Sequence, residues 1–257
     1  MPLLAVNDLT RRFGGVLALN GAEMRIDEGE IVSLIGPNGS GKTTFFNCLT
    51  GIYRPDRGNA FWGPGNRDLA GLPPYAITRL GIARTFQNIR LFGRMSALEN
   101  VMLGGQAGDR LGVWQNLLTL PRAEAGEAAR YERACGLLEL VGLAQRAADA
   151  AGALPYGLQR RLEIARAMAT LPKLLLLDEP CAGLNPQEID ALMALVREIR
   201  ARGVTVLLIE HSMQIVMQVS DRIVVFDAGA KIAEGSPEAV QRDPHVLAAY
   251  LGVPENA

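Results

Sequence analysis

The chain has 257 residues, with 26 Lys+Arg against 27 Asp+Glu and a net charge of −1. Hydrophobic residues make up 49%, which supports a full core and excludes bulk disorder. The even charge balance argues against a general nucleic-acid binder, which carries a basic excess. The longest apolar runs, Leu174 to Leu177 and Val204 to Ile209, fall far short of the ~20 residues of a membrane span. Met1 to Asp8 has no basic stretch leading into an apolar one, so no secretory signal is expected. Cys48, Cys135 and Cys181 are odd in number and widely spaced, which predicts neither a disulfide framework nor a zinc site.

In chain order, the first sixty-odd residues read as short strands with turns. Leu4, Val6 and Leu9 alternate weakly, Ala22 to Ile26 alternates fully, and Asp27-Glu28-Gly29-Glu30 is a turn. Ile31 to Ile35 reads as a buried strand, because a near-continuous apolar run suits a parallel sheet covered on both faces. A helix is expected from Lys42 to Leu49, closed by Gly51. From Asn88 to Met168 the pattern turns mostly helical. Ser96 to Glu99 has capping-box spacing, the charged stretch Arg122 to Arg133 reads as a solvated helix face, and Tyr131, Cys135, Leu138 and Val141 recur every three or four residues before Gly142. This block reads as a helical insertion in an α/β domain. Alternation resumes with a strand over Leu174 to Leu177. Asn185-Pro186-Gln187-Glu188 then starts a helix whose stripe is Ile189, Leu192, Met193, Val196 and Ile199, with Gly203 after it. Strands follow at Val204 to Ile209 and Arg222 to Phe226. Strands separated by helices of this length imply βαβ units and a parallel sheet.

Gly36-Pro37-Asn38-Gly39-Ser40-Gly41-Lys42-Thr43 matches the phosphate-loop pattern G-x-x-x-x-G-K-[ST], between a buried strand and a helix. The glycines let successive backbone N–H groups face phosphate oxygens, and the helix N-terminus adds its positive dipole end. Lys42 is expected on the β- and γ-phosphates and Thr43 on Mg²⁺, with Thr44 completing the cradle. Kinases, GTPases and motor ATPases share this loop. Asp178 and Glu179 stand at the end of a buried strand, where parallel sheets bind ligands. Their strand end lies beside the phosphate loop if the two strands are neighbours. Asp178 can hold Mg²⁺ through water, and Glu179 can accept a proton from an attacking water. His211, just beyond the next core strand, can bond the γ-phosphate or that water. His245 carries no such expectation.

The order of these motifs resembles the ATP-binding subunits of ABC transporters over essentially the whole chain. Leu154-Pro155-Tyr156-Gly157-Leu158 through Ala167 resembles the signature segment, Gln87 in Arg84-Thr85-Phe86-Gln87-Asn88 the Q-loop glutamine, and Ala182-Gly183-Leu184-Asn185-Pro186 the D-loop. Phe13 resembles the aromatic residue that stacks on adenine. Gln159 to Arg166, Ile209-Glu210-His211, Ser220-Asp221-Arg222-Ile223, the ending Ala249-Tyr250-Leu251-Gly252 and the long stretch from Val101 to Tyr131 resemble the LivG-type subunit of branched-chain amino-acid importers. Lipopolysaccharide-export ATPases share the Arg160 to Arg166 pattern approximately. The signature departs from Leu-Ser-Gly-Gly-Gln at Pro155, Tyr156 and Leu158, and Pro155 offers neither hydroxyl nor N–H. Ser212 follows His211 where an Asp is usual.

The resemblance implies an α/β P-loop NTPase fold with a RecA-like parallel core, an N-terminal antiparallel β subdomain and an inserted helical subdomain. The core with its β subdomain spans 1–87 and 171–257, and the helical subdomain 88–170. It implies hydrolysis of ATP between two head-to-tail subunits, with Thr43, Gln87 and Asp178 serving Mg²⁺, Glu179 as general base and His211 on the γ-phosphate. Leu154 to Leu158 then face the partner's ATP. The implied partners are a second ATP-binding subunit of a different chain, two transmembrane permease subunits and, indirectly, a substrate-binding protein, with no nucleic acid. The implied location is the cytoplasmic face of the inner membrane. Soluble ABC ATPases acting on nucleic acid or ribosomes and small-molecule P-loop kinases are the competing classes. The first usually carries two cassettes or a coiled-coil insertion, and the second leaves the signature segment unexplained.

Overall fold

A computed structural model describes residues 2–106 and 121–251. The chain opens with a hairpin, β1 (Leu4–Phe13) and β2 (Val16–Ile26), enters a core strand β3 (Ile31–Ile35), and runs through the phosphate loop into α1 (Lys42–Leu49). It returns as β4 (Arg57–Trp62) and β5 (Arg67–Asp68), then passes α2 (Pro74–Arg79) into the short core strand β6 (Ile82–Arg84). The helical block holds α3 (Ala97–Gln106), α4 (Pro121–Leu140) and α5 (Tyr156–Met168). The last third alternates: β7 (Leu174–Asp178), α6 (Pro186–Ala201), β8 (Thr205–Ile209), α7 (Met213–Val219), β9 (Arg222–Asp227), β10 (Ala230–Gly235), α8 (Pro237–Gln241) and α9 (Pro244–Leu251).

Two sheets result. The first is antiparallel, in the order β2-β1-β4-β5. The second has the order β10-β9-β3-β8-β7-β6; its strands run parallel except β10, which pairs antiparallel with β9. Side chains of successive strand residues point to opposite faces, and this divides the core. Leu174 and Leu176 join Val32, Leu34, Leu207 and Ile209 in a cluster with Phe45 and Phe46 of α1 and the inner face of the antiparallel sheet. Leu175 and Leu177 join Val206 and Leu208 in a second cluster with α5, α6 and the helical block. Phe45 meets Phe226 edge-on with ring centroids 5.2 Å apart. Burying each such ring contributes roughly 2–3 kcal/mol.

The strands of the phosphate loop and of the acid pair are not neighbours, because β8 lies between β3 and β7. All three are uniformly buried apolar runs, so their patterning leaves the order open. The α4 stripe is as expected at Leu138 and Val141, whereas at its start Ala134 is buried in place of Tyr131 and Cys135. Ala134, Leu138 and Val141 face the core, at spacings of four and three, while Tyr131 stands half-exposed. The capping boxes at Ser96/Glu99 and Asn185/Glu188 both form, with reciprocal side-chain bonds of 2.7–3.1 Å. Part of the long stretch between Val101 and Tyr131 lies outside the described residues. No helix of the described residues is long and apolar enough to cross a membrane.

Candidate active site

The phosphate loop is shaped by two glycines. Gly36 has φ +150°, and a Cβ on it would lie 2.1 Å from the Phe226 carbonyl oxygen. Gly41 caps α1 at φ +97°, and its Cβ would lie 2.4 Å from the Ala18 carbonyl oxygen. Neither position admits a side chain, so β9 and β2 fix the loop from behind. Pro37 is half-buried, Ser40 buried, and Asn38, Gly39 and Thr43 are exposed, with Thr44 half-buried behind them. Lys42 is buried. Its Nζ donates to the carbonyls of Gly36 (2.7 Å) and Pro37 (2.9 Å) and to Ser40 Oγ (3.3 Å). Burial lowers its pKa, and the negative charges of Glu179 and Asp178 oppose that shift. The lysine and the acid pair therefore share one electrostatic environment although a strand separates their own.

Asp178 is the last residue of β7 and is buried. Its Oδ2 accepts from Arg84 Nη2 at 2.7 Å. Glu179 leaves the strand at φ +46°, a left-handed conformation that costs a non-glycine residue about 1–3 kcal/mol. Its N–H on the Ile209 carbonyl (3.0 Å) holds the turn. Glu179 Oε2 accepts from Gln87 Nε2 at 3.1 Å, so the structure brings these two side chains together. The free amide oxygen of Gln87, the second oxygen of Asp178 and the hydroxyl of Thr43 are all oxygen donors, the chemistry that suits a hard divalent cation such as Mg²⁺. Beyond β8, His211 is exposed, with its Nδ1 3.8 Å from Glu210 Oε2. Glu210 is fully buried. Its Oε1 accepts from the Cys181 N–H at 3.0 Å, and Oε2 has no hydrogen-bond partner among the described residues. Burial pushes this carboxyl up. Phe13 is exposed, edge-on to Tyr53 at 5.1 Å and under the Arg11 guanidinium at 4.8 Å.

The signature segment begins α5. Leu154 is buried, Pro155 is the residue before the first helical turn, and Leu158 packs against the core from a half-buried position. A Cβ on Gly157 would lie 2.5 Å from Glu188 Oε1. Tyr156 fills the space beside Gly183, and its hydroxyl accepts from Arg160 Nη2 at 3.1 Å. Arg160 is completely buried. It also donates to the carbonyls of Phe86 (2.7 Å) and Gln87 (2.8 Å) and to Glu163 Oε2 (3.0 Å). Glu163 Oε1 in turn accepts from the N–H groups of Phe86 and Arg90. Burial raises the Glu163 pKa against the pull of Arg160. This clamp grips the backbone on both sides of Gln87. Sequence reasoning gave Arg160, Glu163, Arg84 and Glu210 no role. The one available signal was an Arg–Glu pair at i, i+3 on the helix face that also carries Gly157 and Ile164.

The ABC transporter family model matches residues 19–182, and the model for branched-chain amino acid ATP-binding cassette transporters matches residues 230–256. The chain belongs to the ABC transporter family. It is 48% identical over 252 residues to the high-affinity branched-chain amino acid transport ATP-binding protein BraF of Pseudomonas aeruginosa, covering 98% of each chain. It is 47% identical to LivG of Escherichia coli K12, a protein of the same description, again over 98% of each. Its fold is similar to the ATP-binding cassette MJ1267 in its ADP conformation, with TM-score 0.83 and 32% identity over 98% of this chain and 99% of that one. As a member of this family the chain is an ATP-binding, ATP-hydrolysing cassette.

Proposed function

We propose that the chain is the energy-coupling subunit of a membrane importer for branched-chain or related small amino acids, seated peripherally on the cytoplasmic face. What supports the importer reading is the 48% identity to a branched-chain amino acid transport ATP-binding protein, and the Gln87–Glu179 bond supports a hydrolytic site within it. Backbone N–H groups of the loop after Pro37, those of Asn38, Gly39 and Gly41, and the Lys42 ammonium hold the phosphates. Phe13 stacks on the adenine. Thr43, Gln87 and Asp178 would hold Mg²⁺, which would supply neutralisation of phosphate charge. Glu179 orients the attacking water and takes its proton, and His211 bonds the γ-phosphate. Phosphoryl transfer asks mainly for such positioning and charge.

In this reading a second, different ATP-binding subunit closes the site, and Leu154 to Leu158 face that partner's ATP. In this reading residues 1–257 are a single ATP-binding domain, with 1–87 and 171–257 as its core and 88–170 as its helical subdomain. Two permease subunits dock at a groove of about 320 Å³ beside the Q-loop, lined by Arg84, Phe92, Leu103, Glu163 and Arg166. A substrate-binding protein delivers cargo to the permease subunits. The test is reconstitution with the membrane subunits in proteoliposomes, measuring phosphate release and leucine uptake. Glu179→Gln is expected to lower turnover by about 10²–10⁴-fold while ATP stays bound and the two cassettes stay closed. Undiminished turnover in that variant overturns the reading.

A further inference from the structure

The Asp178 carboxylate is not free to choose its orientation. Arg84, at the end of β6, reaches under it, and the pair is almost fully buried, with side-chain exposures of 7% and 4%. The guanidinium bridges β7 and α1. Nη2 takes Asp178 Oδ2 at 2.7 Å, and Nη1 takes Asn47 Oδ1 of α1 at 2.6 Å and Thr50 Oγ1 at 3.2 Å. Its plane lies 5.5 Å from the Phe46 ring and 5.2 Å from that of Phe86, the residue before Gln87. The Nε is buried with no partner among the described residues. A buried ion pair with an unpaired donor is a poor way to gain stability, since desolvation offsets much of the attraction. A rigid fork that ties a carboxylate to a helix is a good way to aim it.

We infer that Arg84 is a positioning residue for metal binding: by occupying Oδ2 it leaves the other Asp178 oxygen directed at the cation beside the phosphates. The inference rests on the reading of Asp178 as a magnesium carboxylate. Arg84 is anchored to α1, the helix that starts at Lys42, so the metal carboxylate and the phosphate lysine are held to one scaffold. Arg84 also lines the groove beside the Q-loop, so one side chain forms a wall of that surface and a clamp on the metal site. Lysine cannot replace it, because a single ammonium cannot serve Asp178 and Asn47 in one plane.

The test uses the purified full chain with ADP. Free Mn²⁺ is titrated by electron paramagnetic resonance, and ADP binding in EDTA is followed separately with a fluorescent analogue. Both Arg84→Gln and Arg84→Lys are expected to weaken Mn²⁺ binding to the ADP complex by about 10-fold, as loss of a residue that orients a metal ligand typically does. ADP affinity in EDTA is expected to stay within about twofold, because Arg84 touches no phosphate-loop residue. Asn47→Ala, which removes the other anchor of the fork, is expected to shift Mn²⁺ affinity less in the same direction. Unchanged or tightened Mn²⁺ binding in the Arg84 variants overturns the inference, and so does an equal loss of ADP affinity in EDTA. Should those variants not fold, Asn47→Ala decides, and no shift there overturns it. A wild-type chain whose ADP complex holds no Mn²⁺ removes the parent reading, a result visible before any variant is made.

Discussion

The phosphate loop and the corner where α5 meets Gln87 reach the same end, a fixed backbone, by opposite means. The loop is held by the absence of side chains: Gly36 and Gly41 let β9 and β2 close on it until no Cβ fits. The corner is held by two large charged side chains, Arg160 and Glu163, only 0% and 2% exposed and bonded to four backbone groups of the Q-loop region. A loop made of backbone keeps its polar groups facing outward for a ligand. A corner made of buried ions spends them on itself, and its integrity becomes a matter of stability.

Three substitutions sharpen or break this contrast, and Arg160→Met is the most damaging. Breaking a buried pair from one side strands the other charge, at a cost of about 3–5 kcal/mol, so the variant is expected to melt far below wild type. Adding Glu163→Gln should recover a large part, since the amide oxygen can still accept from Phe86 and Arg90. Wild-type melting of the single variant would abolish the contrast. Lys42→Ala should do the reverse, cutting phosphate release by about 10²–10³-fold while the melting temperature holds or rises, because burial already disfavours that ammonium.

Glu210→Gln tests a buried acid that belongs to neither region. Its folded pKa is raised above the unfolded value by burial, with the Cys181 N–H and His211 opposing the shift. The folded state therefore holds the proton more tightly. The stability this contributes is complete below the ordinary carboxyl pKa and is lost as pH rises through the raised one. The glutamine variant, which keeps an acceptor for the Cys181 N–H, should melt above wild type at pH 8 and approach it near pH 5. A constant gap across that range would show that ionisation of Glu210 is not the cause.

What the sequence revealed follows the same division. The phosphate loop was legible because its backbone angles demand glycine at set positions, and the spacing alone states that demand. The strands β3, β7 and β8 were legible as strands but not in their order, since three equally apolar runs carry no ranking. β6 has three residues, too few for a period, yet it carries Arg84. Arg160 and Glu163 could not be told from a solvated i, i+3 pair, because burial of an ion pair depends on what packs against the helix. The start of α4 buries Ala134 rather than Tyr131 for a related reason: what packs against that end of the helix lies far away in the chain.

One small vacancy ties two helices together. The hydrogen of Gly157 stands where any larger substituent would push aside the Glu188 carboxylate, which is itself bonded to the Asn185 N–H at the first turn of α6. The glycine that a motif search assigns to a nucleotide's far side is thus also demanded from the rear, by another helix's start. Its presence in a sequence testifies to internal fit as much as to any ligand, and replacing it would blur the two kinds of evidence.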